Sequence, residues 1–136
     1  MSISRVHTIL YVRDQRASAR FYCAVLQAEP TLDVPGMTEL TLPGNHILGL
    51  MPETGAARLL GAAHDPAFGS GVPRAELYFV VDDPAGYHAR GLAAGATEVS
   101  PLAPRDWGHD ACYALDPDGH VVAFARVSAA AGSGSV

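Results

Sequence analysis

Val6-His7-Thr8-Ile9-Leu10-Tyr11-Val12-Arg13-Asp14 comes back later in the chain as Ala75-Glu76-Leu77-Tyr78-Phe79-Val80-Val81-Asp82-Asp83. A second pair of stretches does the same: Pro43-Gly44-Asn45-His46-Ile47-Leu48-Gly49-Leu50 returns as Pro117-Asp118-Gly119-His120-Val121-Val122-Ala123-Phe124. Both offsets are about half of the 136 residues, as a tandem duplication produces. The repeat pairs positions across the halves, so that His7 answers to Glu76 and Gly49 to Ala123.

The first word, residues 6–12, is β-branched and apolar enough for a strand, and Arg13-Asp14 ends it with an aspartate cap for a following helix. Apolar residues at helical spacing, among them Ala19, Tyr22, Cys23 and Leu26, predict that helix over 15–27, with Arg16 and Arg20 on its outer side. Short strands follow over 38–42 and 46–51, joined by the turn Pro43-Gly44-Asn45. Residues 52–73 are glycine-rich and without clear period, and read as a linker with at most a brief helical turn at 58–63. The second half repeats the order: a strand over 75–81, a helix over 84–94 with Pro84 at its start, then strands at 98–99, 111–115 and 120–127. The tail, 128–136, is alanine, glycine and serine without pattern and is expected to fray.

Successive side chains of a strand point to opposite faces. Val6, Thr8, Leu10 and Val12 are the better surface for the first helix, and Leu77, Phe79 and Val81 for the second. His7 and Glu76 are therefore left together with Tyr11 and Tyr78 on the faces away from the helices, and Gly49 and Ala123 occupy matching positions on the strands that close each half.

Composition removes several classes of function. With 49% hydrophobic and 17% charged residues the chain can bury a core as one domain. Its formal charge of -5 includes nine arginines and no lysine, so no basic stripe awaits phosphates, and a Schiff base or lysine general base is excluded. No apolar run reaches the roughly 20 residues of a membrane span. The N-terminal Met1-Ser2-Ile3-Ser4-Arg5 lacks an apolar signal core, which points to the reducing cytoplasm and to Cys23 and Cys112 as free, packed thiols.

Two motifs resemble the vicinal oxygen chelate superfamily, which holds glyoxalase I, the extradiol dioxygenases, and the fosfomycin and bleomycin resistance proteins. One is His7-Thr8-Ile9-Leu10-Tyr11-Val12-Arg13-Asp14 followed by Ala19-Arg20-Phe21-Tyr22-Cys23-Ala24-Val25-Leu26; the other is Asp116-Pro117-Asp118-Gly119-His120 with an apolar strand after it. The resemblance extends from Arg5 to Val127. It implies an α+β fold of two tandem βαβββ modules, about 5–52 and 74–127 around the 53–73 linker, whose curled mixed sheet encloses a cleft within one domain, 1–127. It also implies a homodimer, and metal ligands that in the glyoxalase-like pattern fall on His7, Gly49, Glu76 and Ala123.

Glycine and alanine carry no donor atom, whereas a catalytic divalent site normally takes three protein ligands or more. The expectation is therefore a small organic ligand bound in the cleft with no cofactor, its site lined by Tyr11, Gly49, Met51, Tyr78, Trp107, Tyr113 and Ala123, with Asp110 near the mouth. Truncation at Gly49 and Ala123 is expected to leave room for that ligand. His7 and Glu76 would then form a structural ion pair or an acid/base pair. The alternative is a lyase, isomerase or dioxygenase dependent on nickel, zinc, manganese or iron, with His7 and Glu76 as ligands and a third from His46, His109 or His120; His46 and His120 sit at turns, so His109 is the better candidate. A third reading is a dimeric module without chemistry. Trp107, in the loop Pro104-Arg105-Asp106-Trp107-Gly108, is an aromatic in want of a partner, and Arg105 beside it could meet an anionic ligand or a surface carboxylate.

Overall fold

A computed structural model describes residues 3–69 and 71–129. The chain divides into two compact units, Met1–Gly71 and Val72–Val136, so the boundary falls at the end of the expected linker. Each unit has the order strand, helix, strand, strand, strand and holds one four-stranded mixed sheet.

In the first unit β1 (Val6–Val12) leads into α1 (Gln15–Leu26), followed by β2 (Leu32–Val34), β3 (Met37–Leu42) and β4 (His46–Pro52). The sheet order is β1-β4-β3-β2, with β1 parallel to β4 and the other pairs antiparallel. Asp14 starts α1 by accepting the Ala17 N–H at 3.0 Å, and Gln27 stops it in the left-handed conformation. The helix packs on β3 and β4, and the core beneath it is Val12, Phe21, Tyr22, Val25, Leu40, Leu48 and Leu50. Of the four β1 residues expected on this face, Val12 is fully covered while Val6, at the other end, stays 49% exposed.

The second unit repeats the arrangement with β5 (Glu76–Val80), α3 (Pro84–Ala93), β6 (Thr97–Pro104), β7 (His109–Leu115) and β8 (Val121–Val127), in the sheet order β5-β8-β7-β6; α2 lies in the first unit, in the segment between the two sheets. Asp83 caps α3 through the Gly86 N–H, and a Cβ at residue 86 would collide with that carboxylate. Phe124 stacks on Phe79 at 5.6 Å and meets Tyr87 at 5.3 Å, which ties α3 to the sheet. In the last turn, buried Asp116 accepts the N–H groups of Asp118 and His120 on one oxygen.

Four expectations need correction. The segment read as a linker contains an eight-residue helix, α2 (Glu53–Leu60), followed by short 3₁₀ turns; it is held by packing on β1 and β4 with Ala56 fully buried, although Gly55 gives it poor intrinsic propensity. β2 is a strand of three exposed residues between Pro30 and Pro35, too short for alternation to register. β6 spans eight residues, Thr97–Pro104, where the sequence reading found two; its prolines are tolerated because it is an edge strand with shifts of register at Glu98/Ser100 and Ser100/Ala103. The tail does not begin to fray at residue 128, since Ser128 is buried, donating its hydroxyl to Asp110 at 2.6 Å and its N–H to the Gly108 carbonyl. Residues 130–136 of that tail lie outside the described residues. Among the described residues no helix is long and apolar enough to cross a membrane.

Candidate functional site

On the first sheet, register places His7 opposite Ile47, Ile9 opposite Gly49, and Tyr11 opposite Met51 across β1 and β4, with Glu39 of β3 opposite Gly49 on the far side. These residues share the face away from α1. The His7 and Glu39 side chains lean over β4, the strand that separates them, until Nδ1 stands 3.7 Å from Oε2. That is beyond hydrogen-bond length but close enough for an ion pair whenever the imidazole is protonated. His7 thus has a carboxylate neighbour within its own unit.

Sequence reading passed over Glu39, although a signal was available: Leu40 and Leu42 belong under the helix, so alternation turns Glu39 outward with His7. It also misjudged Gly49. Ile9 and Met37 already occupy the space beside it, and a Cβ there would lie 3.1 Å from Ile9 Cγ1 and 3.1 Å from Met37 Sδ. The space beside the glycine is already filled by these two side chains, which would have to shift slightly to admit a Cβ.

The second sheet gathers an aromatic cluster. Tyr78 and Tyr113 flank Ala123 in register, on the face away from α3. The turn from β6 to β7 brings Trp107 over Tyr78, whose hydroxyl oxygen accepts the indole N–H at 3.0 Å and lies 2.6 Å from His109 Nδ1. An indole N–H can only donate, so it takes one acceptor site of the phenol oxygen, while the Tyr78–His109 bond runs in the direction the imidazole tautomer sets. The Tyr78 and His109 rings stack with centroids 5.8 Å apart. Trp107 is anchored through its nitrogen yet remains 57% exposed.

Tyr113 completes this face; burial raises its phenol pKa, and the Glu76 carboxylate raises it further. The Arg105 guanidinium lies 5.2 Å from the Tyr113 ring and donates to Ser100 Oγ, Pro101 O and Ala111 O. Those bonds brace the β6–β7 hairpin, so Arg105 meets neither a surface carboxylate nor an open anion site. Asp110 is likewise placed elsewhere: one residue beyond His109, it faces the helix side, where it holds Ser128 and, at 3.4 Å, Arg126.

The remaining histidine candidates also separate. His46 points to the helix side of β4 and bonds Thr8 Oγ1 through Nε2 at 2.7 Å, and His120 belongs to the turn organised by Asp116. Cys23 and Cys112 are free thiols, both with pKa values raised chiefly by burial, which favours their protonated form near neutrality; Cys23 is half-buried and Cys112 buried. Cys112 is fully buried, with Sγ 3.4 Å from the Phe124 carbonyl.

Two βαβββ units with polar and aromatic side chains on the sheet faces opposite the helices define a class of protein. The chain belongs to the glyoxalase/bleomycin resistance protein/dioxygenase superfamily, whose model matches residues 4–124. Solved structures agree in fold. A family enzyme from Burkholderia phytofirmans PsJN superposes with a TM-score of 0.76 at 21% identity, covering 90% of this chain and 97% of that one. A glyoxalase-related enzyme from Fulvimarina pelagi gives 0.76 at 23% identity over 93% and 88% of the two chains. TioX from Micromonospora sp. ML1 gives 0.66 at 22% identity over 92% and 99%. Among curated proteins none matches this sequence.

Of the four positions at which the resemblance places metal ligands, two cannot supply one. Gly49 and Ala123 offer no donor, and within either unit no three described His, Cys, Asp or Glu side chains are grouped as a metal ion needs.

Proposed function

We propose that the protein binds a small planar organic ligand on the sheet face built by Tyr78, Trp107, His109 and Tyr113, without a resident metal. The observation that carries this reading is the anchored, outward-facing indole of Trp107, a rigid surface for stacking at little cost in side-chain entropy. The imidazole of His109 supplies a polar group beside it, and Ala123 keeps the floor between the two tyrosines low. On the same reading the protein is a cytoplasmic homodimer. Sedimentation at micromolar concentration tests the dimer, and a monomer there would refute it.

The chain contains one tryptophan, so fluorescence excited selectively at the indole, beyond the absorption of the five tyrosines, reports on Trp107. Titration with glycopeptide antibiotics, catechols and thiol adducts, followed by fluorescence and thermal shift, tests the binding reading. A ligand at one hundred times its dissociation constant stabilises the fold by about 2.7 kcal/mol. A panel without response in either signal would favour a module that does no chemistry.

One observation favours a second reading, a metal-dependent lyase, isomerase or dioxygenase: the pairing of His7 with Glu39 puts two donor groups within 3.7 Å. It requires Glu76 or a further donor as well. Tight stoichiometric uptake of nickel, zinc, manganese or ferrous iron, abolished by His7→Ala and by Glu76→Gln, would establish it over the metal-free reading.

A further inference from the structure

A groove of about 570 Å³ opens in the first unit between α1 and the β2–β3 hairpin, on the helix side of the sheet and so on the face opposite to His7. Its volume lies in the range of small-molecule sites. One wall is α1, which contributes Arg16, Ala19, Arg20 and Cys23; the other includes Pro30, Asp33 and Val34. Gln15 fixes the separation of the walls, because its amide nitrogen donates to the Val34 carbonyl at 2.8 Å and to Thr38 Oγ1 at 2.9 Å, while its oxygen accepts the Gly36 N–H at 3.0 Å. The groove is therefore preformed and needs no reordering of either wall on binding.

Its charges are arranged for a ligand. Arg16 and Arg20 stand one helical turn apart on the same face, and among the described residues neither enters an ion pair or hydrogen bond. Across from them Asp33 uses Oδ1 to accept from buried Thr38 at 2.9 Å, which holds the carboxylate in place. Two uncommitted guanidinium groups, an apolar floor and one fixed acceptor describe a single kind of guest.

We propose that this groove is a second small-molecule site, selective for an amphipathic organic anion: the acid group lies between Arg16 and Arg20, the apolar body rests on Ala19, Val34 and Pro30, and a donor on the ligand meets Asp33. Nothing in this proposal depends on the aromatic face of the second unit, and the two sites are separable by mutation.

The probe is 8-anilinonaphthalene-1-sulfonate, which has the acid group, the apolar body and an N–H donor. It is titrated into the folded full-length chain, and alkylation of half-buried Cys23 by neutral iodoacetamide is followed by peptide mass, with fully buried Cys112 as the internal control. We expect saturable binding of one probe per chain, weakened about tenfold in Arg16→Gln/Arg20→Gln and weakened also by salt. At ten times its dissociation constant the probe leaves about one groove in eleven free, so Cys23 alkylation should slow about tenfold. The variant Arg74→Gln, which removes an exposed arginine of the second unit, should protect Cys23 with the probe as the parent does. Unchanged labelling of Cys23 at saturation, equal affinity in the double arginine variant, equal affinity of the uncharged analogue lacking the sulfonate, or an equal loss of Cys23 protection in Arg74→Gln would each overturn the proposal.

Discussion

The Tyr78 hydroxyl is hydrogen-bonded to His109 Nδ1 across 2.6 Å and at the same time accepts the Trp107 indole N–H at 3.0 Å, so one oxygen positions both an imidazole and an exposed aromatic. Tyr78→Phe keeps the ring and removes the oxygen. The indole N–H, being exposed, turns to water, and the expected loss of stability is about 1 kcal/mol. The larger effect is on order: Trp107 fluorescence should become more accessible to acrylamide, and any ligand found to quench it should bind about tenfold more weakly. Unchanged quenching in Tyr78→Phe would show that the indole is held by something other than this bond.

His7 and Glu39 make a weaker relationship, since 31% of one side chain and 21% of the other remain exposed and their charged atoms stand 3.7 Å apart. A double-mutant cycle with His7→Gln and Glu39→Gln at pH 5.5 should give a coupling of about 0.2–1 kcal/mol that declines as salt is added. A salt-independent coupling of several kcal/mol would mean that the pair is sealed from solvent by something bound over it.

The fold was legible in the sequence because its two strongest signals are local: the repeated strands ending in aspartate, at Asp14 and near Asp83, each hand the chain to a capped helix. What escaped notice was decided by packing. β6 carries Pro101 and Pro104 and survives only as a bulged edge strand, and α2 is helical because Ala56 is buried, not because Glu53-Thr54-Gly55 favours a helix. The site was half legible for the same reason. Alternation gave the faces of His7 and Tyr78, whereas the meeting of His7 with Glu39 needs the strand order β1-β4-β3, which no local pattern contains. Asp110 was misplaced because the sequence reading began its strand at Ala111; once His109 starts β7, the alternation that turns His109 toward Tyr78 turns Asp110 away.

Three acids with raised pKa values make the fold sensitive to alkali. Burial raises the thiols of Cys23 and Cys112 above 9.0, and burial with Glu76 raises the Tyr113 phenol above 10.0. In each case the folded state holds its proton more tightly than the unfolded chain does. Their stabilising contribution is therefore complete below the unfolded values and is lost as pH rises through the folded ones. The melting temperature should fall steadily above about pH 9, and Cys112→Ala should flatten the lower part of that fall while costing some stability at pH 7 through the lost sulfur contacts. A melting temperature independent of pH between 8.5 and 11 would contradict the burial of these groups.

Gly49 makes the last prediction, because it is where the family pattern would put a metal ligand and where the chain has least room for one. Adding one carbon brings it within 3.1 Å of Ile9 Cγ1 and 3.1 Å of Met37 Sδ. The thioether can swing aside, but Ile9 is β-branched and stiff on its strand, so the strain is borne mainly there. Gly49→Ala should destabilise by about 1 kcal/mol, and it should cost less in an Ile9→Ala background, where the Cγ1 that crowds the new methyl is gone. The cycle is read by urea denaturation, where a favourable coupling between the two substitutions is the expected sign. Gly49→Glu, which would restore a carboxylate at the ligand position, should unfold at lower urea than Gly49→Ala and should gain no nickel or zinc affinity unless Ile9 is also shortened. Tight metal binding by Gly49→Glu alone would show that the packing around this position yields far more readily than its contacts imply.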